Sequence, residues 1–126
     1  MFERIKVDAM TVAQTLRDTA AERPDYVYEN PEGLTGDGIT TCFYVHPDGP
    51  GCLAGTALHK LGVPLSELAE CEGQGASTVA TSVLDIRGDA GNVVIMLAYA
   101  QRRQDGGDSW SVAVEKAEIH ATEALV

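Results

Sequence analysis

Apolar residues near the N-terminus predict a short strand followed by a helix. Ile5 and Val7 alternate with charged residues, which is typical of a strand with one buried face. The helix is expected from Thr11 to about Arg23. Thr11 and Gln14 match a capping box, and Pro24 disfavours helical geometry in the residue before it. Its core-facing row consists of Val12, Leu16 and Ala20.

The next part of the chain predicts strands, a loop and a second helix. Tyr26–Tyr28 is a short β-prone stretch, and Asn30–Gly38, with three glycines and a proline, is expected to form a loop. Thr40–His46 is the clearest strand pattern in the chain, because its residues are β-branched, aromatic or tolerated in strands. The turn Pro47–Gly51 closes this strand, and Cys52–Gly62 predicts a helix with Gly62 as its C-terminal cap.

Two further helices have clear patterns. Pro64 suits the first turn of a short helix that includes Leu65 and Leu68 and ends near Gly73. Either Asp108 or Ser109 is expected to cap the last helix. The buried row of that helix consists of Trp110, Val114, Ala117 and Ala121.

Two segments of the C-terminal half fit both helix and strand. Ser77–Ile86 predicts a short helix, but its Thr and Val content weakens that assignment. Val93–Ala100 predicts a helix capped by Asn92, and because it is apolar on all sides it is expected in the middle of the fold. A strand is the alternative for residues 93–96.

These elements predict a single α+β domain over residues 1–126, mainly helical, with four to six helices and a small sheet from the N-terminal half. The strand candidates are short and close in sequence, so antiparallel pairing is expected. A chain of 126 residues has the length of one domain, and 44% apolar residues suffice for a hydrophobic core.

The charge balance argues against nucleic-acid and membrane binding. Nine Lys and Arg stand against 19 Asp and Glu, which gives a formal charge of −10. Such a field repels phosphate backbones and anionic lipids. Even the densest basic pair, Arg102–Arg103, is followed by Asp105 and Asp108. Partners are therefore expected among proteins.

The cysteine count and the N-terminus predict a cytoplasmic protein. Three cysteines in a chain without an export signal favour reduced thiols over a disulfide framework. Charges interrupt the apolar residues of Met1–Asp8, so no signal peptide is recognised. The longest apolar run, Val93–Ala100, is much shorter than the ~20 residues that a membrane-spanning helix needs.

Three cysteines and two histidines in the middle of the chain raise the hypothesis of a zinc site: Cys42, His46, Cys52, His59 and Cys71. Cys42 and His46 stand about 13 Å apart along a strand. Cys52 and His59 stand roughly 10 Å apart along a helix. Because zinc needs its ligands at about 2 Å, neither pair chelates one ion within its element. Only a cross-element site, such as His46 with Cys52 and two other ligands, passes this test; buried thiols that pack as small apolar groups are the simpler interpretation.

A Cys–His nucleophile is the second chemical hypothesis. Cys52 is expected at a helix N-terminus, where the helix dipole favours a thiolate, and His46 or His59 could act as its base. Packing of Cys52 behind the turn is again the simpler interpretation.

Other motifs carry little chemistry. Gly49–Gly55 lacks the Gly-Lys-Ser/Thr ending of a phosphate-binding loop, and Gly55 is expected to let another element approach the helix closely. Paired acids occur at Glu67/Glu70, Asp85/Asp89 and Asp105/Asp108. None lies beside an apolar run that would favour acid–base catalysis, so no catalytic, cofactor-binding or metal-binding residue is assigned.

The segment Cys42–Val63, together with Tyr26–Tyr28, resembles a group of small uncharacterised proteins from actinobacteria and their phages. Their shared core reads C-x-Y-V, then G, then C-L-V-G-x-A-L-x-x-L-G-V. The likeness covers roughly residues 10 to 75 and rests on apolar and glycine positions. It implies a phage or prophage accessory protein in a bacterial cytoplasm and carries no activity or site residues.

The sequence thus favours a non-enzymatic interaction protein that binds a host or phage protein. Whether the chain also forms a homodimer is left open. A small hydrolase or transferase using Cys52 is the alternative, and a structural zinc domain is the third hypothesis.

Overall fold

A computed structural model describes residues 2–29 and 43–123 of the chain. These residues form six α-helices and four short strands, so the fold is α+β and mainly helical, as the sequence predicts. In chain order the elements are β1 Ile5–Asp8, α1 Ala9–Glu22, β2 Val45–His46, β3 Gly49–Pro50, α2 Leu53–Lys60, α3 Leu65–Glu70, α4 Ala76–Val83, β4 Leu84–Arg87, α5 Ala90–Asp105 and α6 Trp110–Glu123.

The longer strand pair is parallel and joins the two halves of the chain. β1 pairs with β4 in the register Ile5↔Leu84 to Asp8↔Arg87. The antiparallel expectation therefore holds only for the two-residue pair of β2 with β3. The antiparallel expectation fails for β1 because its partner strand, β4, begins within the segment Ser77–Ile86, for which the sequence predicts a helix. That helix ends at Val83. In the following residues, Leu84–Arg87, apolar and charged side chains alternate as they do in β1, and burial decreases from buried Leu84 to exposed Arg87.

The predicted strands around the loop are shorter than expected. Tyr26–Tyr28 is not a strand. Of the predicted strand Thr40–His46 the structure describes residues 43–46, and among these Val45–His46 pairs as a strand. The predicted loop Asn30–Gly38 lies outside the described residues. Tyr26 instead packs edge-on against Trp110, with ring centroids 5.0 Å apart. The Trp110 amide also donates to the Tyr26 carbonyl at 2.9 Å, so contacts with the start of α6 hold this segment in place of a strand ladder.

Helix α1 begins two residues earlier than its sequence pattern indicates. Asp8 occupies the N-cap position with extended backbone and no side-chain cap bond, so the predicted capping box at Thr11 and Gln14 is wrong. The chain passes directly from β1 into the helix, which leaves Thr11 inside it. The predicted core-facing row is confirmed by its burial: Val12, Leu16 and Ala20.

Helix α5 resolves the ambiguity at residues 93–96 in favour of a helix. Asp89, and not Asn92, is its cap: the Asp89 side chain accepts a hydrogen bond from the Asn92 amide at 3.3 Å. The Asn92 side chain instead donates to the carbonyl of Ala121 on α6 at 2.9 Å. The helix is not buried on all sides, because Ile95 is 40% exposed.

The core is built around the antiparallel pair of α5 and α6, which α1, α2 and α4 cover. The row predicted for α6 is buried, and Trp110 is among the largest fully buried side chains. Ser109 Oγ accepts from the Val112 amide at 3.5 Å, whereas Asp108 accepts from Arg103 Nε at 2.8 Å. In the described part of the chain, no helix combines the length and apolar character needed to cross a bilayer.

Candidate functional site

The structure places most of the candidate Cys and His side chains in structural contacts; Cys42 lies outside the described residues. His46 is half-buried, and its Nε2 lies 2.7 Å from the Tyr28 hydroxyl, which also accepts from the Phe43 amide at 2.9 Å. Burial is the main cause that lowers the pKa of His46 below its ordinary value of 6.5. The neutral imidazole therefore packs beside Tyr28 as part of the fold.

His59 and Cys71 lie away from this contact. The Nδ1 atom of His59 is 3.0 Å from the carbonyl oxygen of Val63, where the chain leaves α2. Cys71 is buried after α3, and burial, with nearby glutamates, raises the pKa of its thiol. A protonated thiol is a poor nucleophile and a poor metal ligand.

Cys52 lies at the N-cap position of α2, as predicted, but its side chain is fully buried with 0% exposure. Its amide donates to the carbonyl of Phe43 at 2.9 Å, and its carbonyl accepts from the Thr56 amide at 2.8 Å. A substrate cannot reach a fully buried sulfur without opening the fold. The geometry therefore does not favour the nucleophile hypothesis.

Two buried glutamines accept hydrogen bonds from the backbone amides at the start of α2. The side-chain oxygen of Gln104 accepts from the Leu53 amide at 2.9 Å, and that of Gln101 accepts from the Ala54 amide at 3.0 Å. Free amides at a helix N-terminus bind anions and oxyanions. Here neutral carboxamide oxygens from α5 already fill that role. No local pattern indicates this, because the two glutamines follow an apolar segment and look like the polar end of a helix.

The glycines of the predicted turn serve close packing. A Cβ at Gly55 would overlap the Tyr44 carbonyl oxygen and lie 2.9 Å from Tyr44 Cα. A Cβ at Gly51 would lie 2.6 Å from His46 Nε2. This confirms that Gly55 allows another segment to approach α2 closely.

One carboxylate has an unusual environment, and it is not among the predicted pairs. Glu72 accepts from the amides of Tyr44 at 2.7 Å and Val45 at 3.2 Å. Burial raises its pKa, while the two amide bonds act in the opposite direction. Glu72 thus fastens the segment before β2 to the turn after α3. Across residues 2–29 and 43–123, no three His, Cys, Asp or Glu side chains are grouped so that they could hold a metal ion.

An open groove of about 500 Å³ runs along the outer side of α5. We call it the α5 groove; its lining includes Ala76, Ile95, Ala98, Tyr99, Arg102 and His120. The Tyr99 and His120 rings stack at 4.0 Å with an interplanar angle of 8°. The Arg102 guanidinium lies 5.0 Å from the Tyr99 ring centroid. The groove therefore combines an aliphatic wall with an aromatic stack and two opposite charges, Arg102 and Asp105.

Sequence reasoning missed the α5 groove because it placed Val93–Ala100 wholly inside the fold. Ile95, Tyr99 and Arg102 follow the i, i+4, i+7 spacing of one helix face, and this was the available signal. Ile95 is 40% exposed, and Ile119, which precedes His120 on α6, is 53% exposed.

Comparison with known proteins adds no relative: no family model matches the chain, and no curated protein or solved structure is significantly similar to it.

Proposed function

We propose that this chain is a small, acidic, non-enzymatic interaction module that binds a host or phage protein in the bacterial cytoplasm. The α5 groove is the observation that supports this proposal best. Ile95, at 40% exposure, lines the groove together with the stacked rings of Tyr99 and His120. Exposed apolar and aromatic groups beside an arginine are typical of protein-binding surfaces.

The lining of the groove indicates what a partner would present. Ile95 and Ala98 offer an apolar wall, and Arg102 lies one turn further along α5. Arg102 contacts the Tyr99 ring, and it shares the groove lining with the carboxylate of Asp105. An apolar side chain with a carboxylate that faces Arg102 and stays clear of Asp105 would match both the apolar and the charged part of the groove.

The biological setting rests on the likeness of residues 10–75 to proteins of actinobacteria and their phages. That likeness assigns no activity, and the full burial of Cys52 gives no support to the hydrolase or transferase alternative. An interaction role is therefore the better inference from the residues that the structure describes.

Affinity capture from actinobacterial lysate, with and without phage infection, tests the proposal when variants are compared. Ile95→Glu places a charge inside the groove, whereas Val112→Glu changes a similarly exposed residue (37%) outside the groove lining. We expect one protein to be captured by the wild type and by Val112→Glu, and lost with Ile95→Glu. Equal capture by all three, or none by the wild type, would contradict the proposal.

A further inference from the structure

Strand β1 has a sheet edge that no described strand covers. Within residues 2–29 and 43–123, β1 pairs with β4 and no third strand joins the two. Two-stranded sheets are marginal by themselves, and parallel ones are almost always part of a larger sheet. A four-residue parallel pair is therefore an incomplete sheet by the usual standards of protein structure.

The side chains of β1 divide cleanly between its two faces. Ile5 and Val7 are half-buried on one face, and Lys6 and Asp8 are exposed on the other. Across the pair, Lys6 faces Asp85 and Asp8 faces Arg87, so the charges of the exposed face alternate in sign. Along β1 the charge changes sign at Val7, because Lys6 precedes it and Asp8 follows it.

We propose that β1 pairs in antiparallel fashion with β1 of a second copy of this chain, about a two-fold axis at Val7. Lys6 then lies opposite Asp8 of the partner subunit, and Asp8 lies opposite Lys6 of the partner subunit. The two parallel pairs then form one four-stranded sheet, in which the β1 strands of the two copies are central and the β4 strands are at the edges. This proposal uses a different face from the α5 groove and does not rest on the proposed function.

Charge selects this register over its neighbours. The nearest alternative registers that keep the same faces together are shifted by two residues. A shift in one direction places Lys6 opposite Lys6 of the partner subunit. In the other direction it places Asp8 against Asp8 of the partner subunit. Intermediate shifts would oppose core-facing to solvent-facing residues. Charges on an edge strand normally prevent indiscriminate pairing, and here they leave one self-complementary arrangement.

An exposed methionine at the end of the strand supports the same surface. Met10 follows β1 by two residues and is 84% exposed, the largest exposure among the big apolar side chains of the described residues. Met10 is the second residue of α1, so the strand register does not extend to it, but it lies two residues beyond the Asp8 end of the proposed contact, where a second copy would approach it. Burial of such a side chain is favourable and adds to the short strand contact.

Sedimentation equilibrium over a wide concentration range tests the pairing through charge reversal. We expect a wild-type dimer, and Lys6→Asp and Asp8→Lys should each raise its dissociation constant about tenfold or more, because each creates two like-charge pairs. An equimolar mixture of the two variants should form a heterodimer, since every pair is then complementary. Glu70→Lys, an equal change of charge on exposed α3, should dimerise like the wild type.

Three outcomes would overturn the proposal: a wild-type monomer at the highest concentration, dimers unaffected by both reversals, or a mixture that stays monomeric. The reversals also face Asp85 and Arg87 within the chain, so circular dichroism is used to verify their folding. If either is unfolded, Lys6→Gln and Asp8→Asn replace them, and each should weaken the dimer by a smaller factor. Ile95→Glu should leave the dimer intact, which separates this test from that of the α5 groove.

Discussion

At the scale of single residues, the polar groups buried in the core decide what the candidate site can do. Gln101 and Gln104 are both buried, and each accepts a hydrogen bond from an amide of the first turn of α2. Buried polar groups are nearly always hydrogen-bonded, because an unpaired one loses its water without compensation. The two glutamines therefore fix α2 against α5 and also close the helix N-terminus to anions.

Replacement of Gln104 by leucine should destabilise the fold. Gln104→Leu keeps the site apolar but leaves the buried Leu53 amide without its acceptor, which costs about 1–3 kcal/mol. Urea unfolding followed by circular dichroism measures the change. The exposed Gln14→Leu on α1 serves as the matched control and should change stability by less than about 0.5 kcal/mol. Equal effects of the two substitutions would contradict the role given to Gln104.

The thiol of Cys52 should resist modification in the folded protein. Because its side chain has 0% exposure, a thiol reagent at neutral pH must wait for the fold to open. Mass spectrometry of digested protein follows Cys52 separately from the other two cysteines. The rate should increase strongly on addition of urea, where every thiol is accessible. Rapid labelling of Cys52 in native buffer would revive the nucleophile hypothesis.

The half-buried imidazole of His46 should make stability fall in mild acid. Its folded pKa lies below the ordinary 6.5, so between these two values the unfolded chain binds more protons than the folded chain. Stability from this residue is thus present above pH 6.5 and is lost as the pH falls through the folded pKa.

The His46 effect is measured as the difference in unfolding free energy between wild type and His46→Gln at several pH values. The variant isolates His46 from Glu72, whose raised pKa acts oppositely: its contribution declines as the pH rises above 4.5. The wild type should lose its advantage over His46→Gln as the pH falls below 6.5. A difference that does not depend on pH would contradict the lowered pKa of the half-buried His46 imidazole.

At the scale of elements, local patterns predicted helices well and strand pairing poorly. The rows on α1 and α6 were correct because spacing of three or four residues reports burial directly. The pattern of Ser77–Ile86 predicts a helix up to Ile86, although apolar and charged residues alternate in Leu84–Arg87 as they do in Ile5–Asp8. The partner of β4 is 79 residues away in the register Ile5↔Leu84, and such a distant parallel pairing leaves no local signal.

The candidate site shows the same division. The sequence correctly placed Cys52 at the start of α2 and gave Gly55 its packing role. It could not show that α5 supplies the acceptors for that helix, nor that the Tyr99 side of α5 stays open, because both depend on how distant helices pack. Helix spacing defines a face but does not say which neighbour covers it.

At the scale of the whole molecule, the net charge of −10 argues against nucleic-acid and membrane partners. The side chains of two surfaces, the α5 groove and β1, indicate which protein partners would fit. The α5 groove pairs apolar side chains with Arg102 on an otherwise acidic chain, and β1 carries balanced charges that complement a second copy. The two surfaces lie on different elements, so one chain could bind a partner and dimerise at the same time.

The central claim is that the α5 groove binds a protein partner, and calorimetric titration of the captured partner, once purified, tests it most directly. Ile95→Glu should weaken binding about tenfold or more, as expected for a residue central to an interface. Val112→Glu should bind within about twofold of the wild type, because rim or outlying residues contribute little. Unchanged affinity of the Ile95→Glu variant, with its fold intact by circular dichroism, would contradict the account.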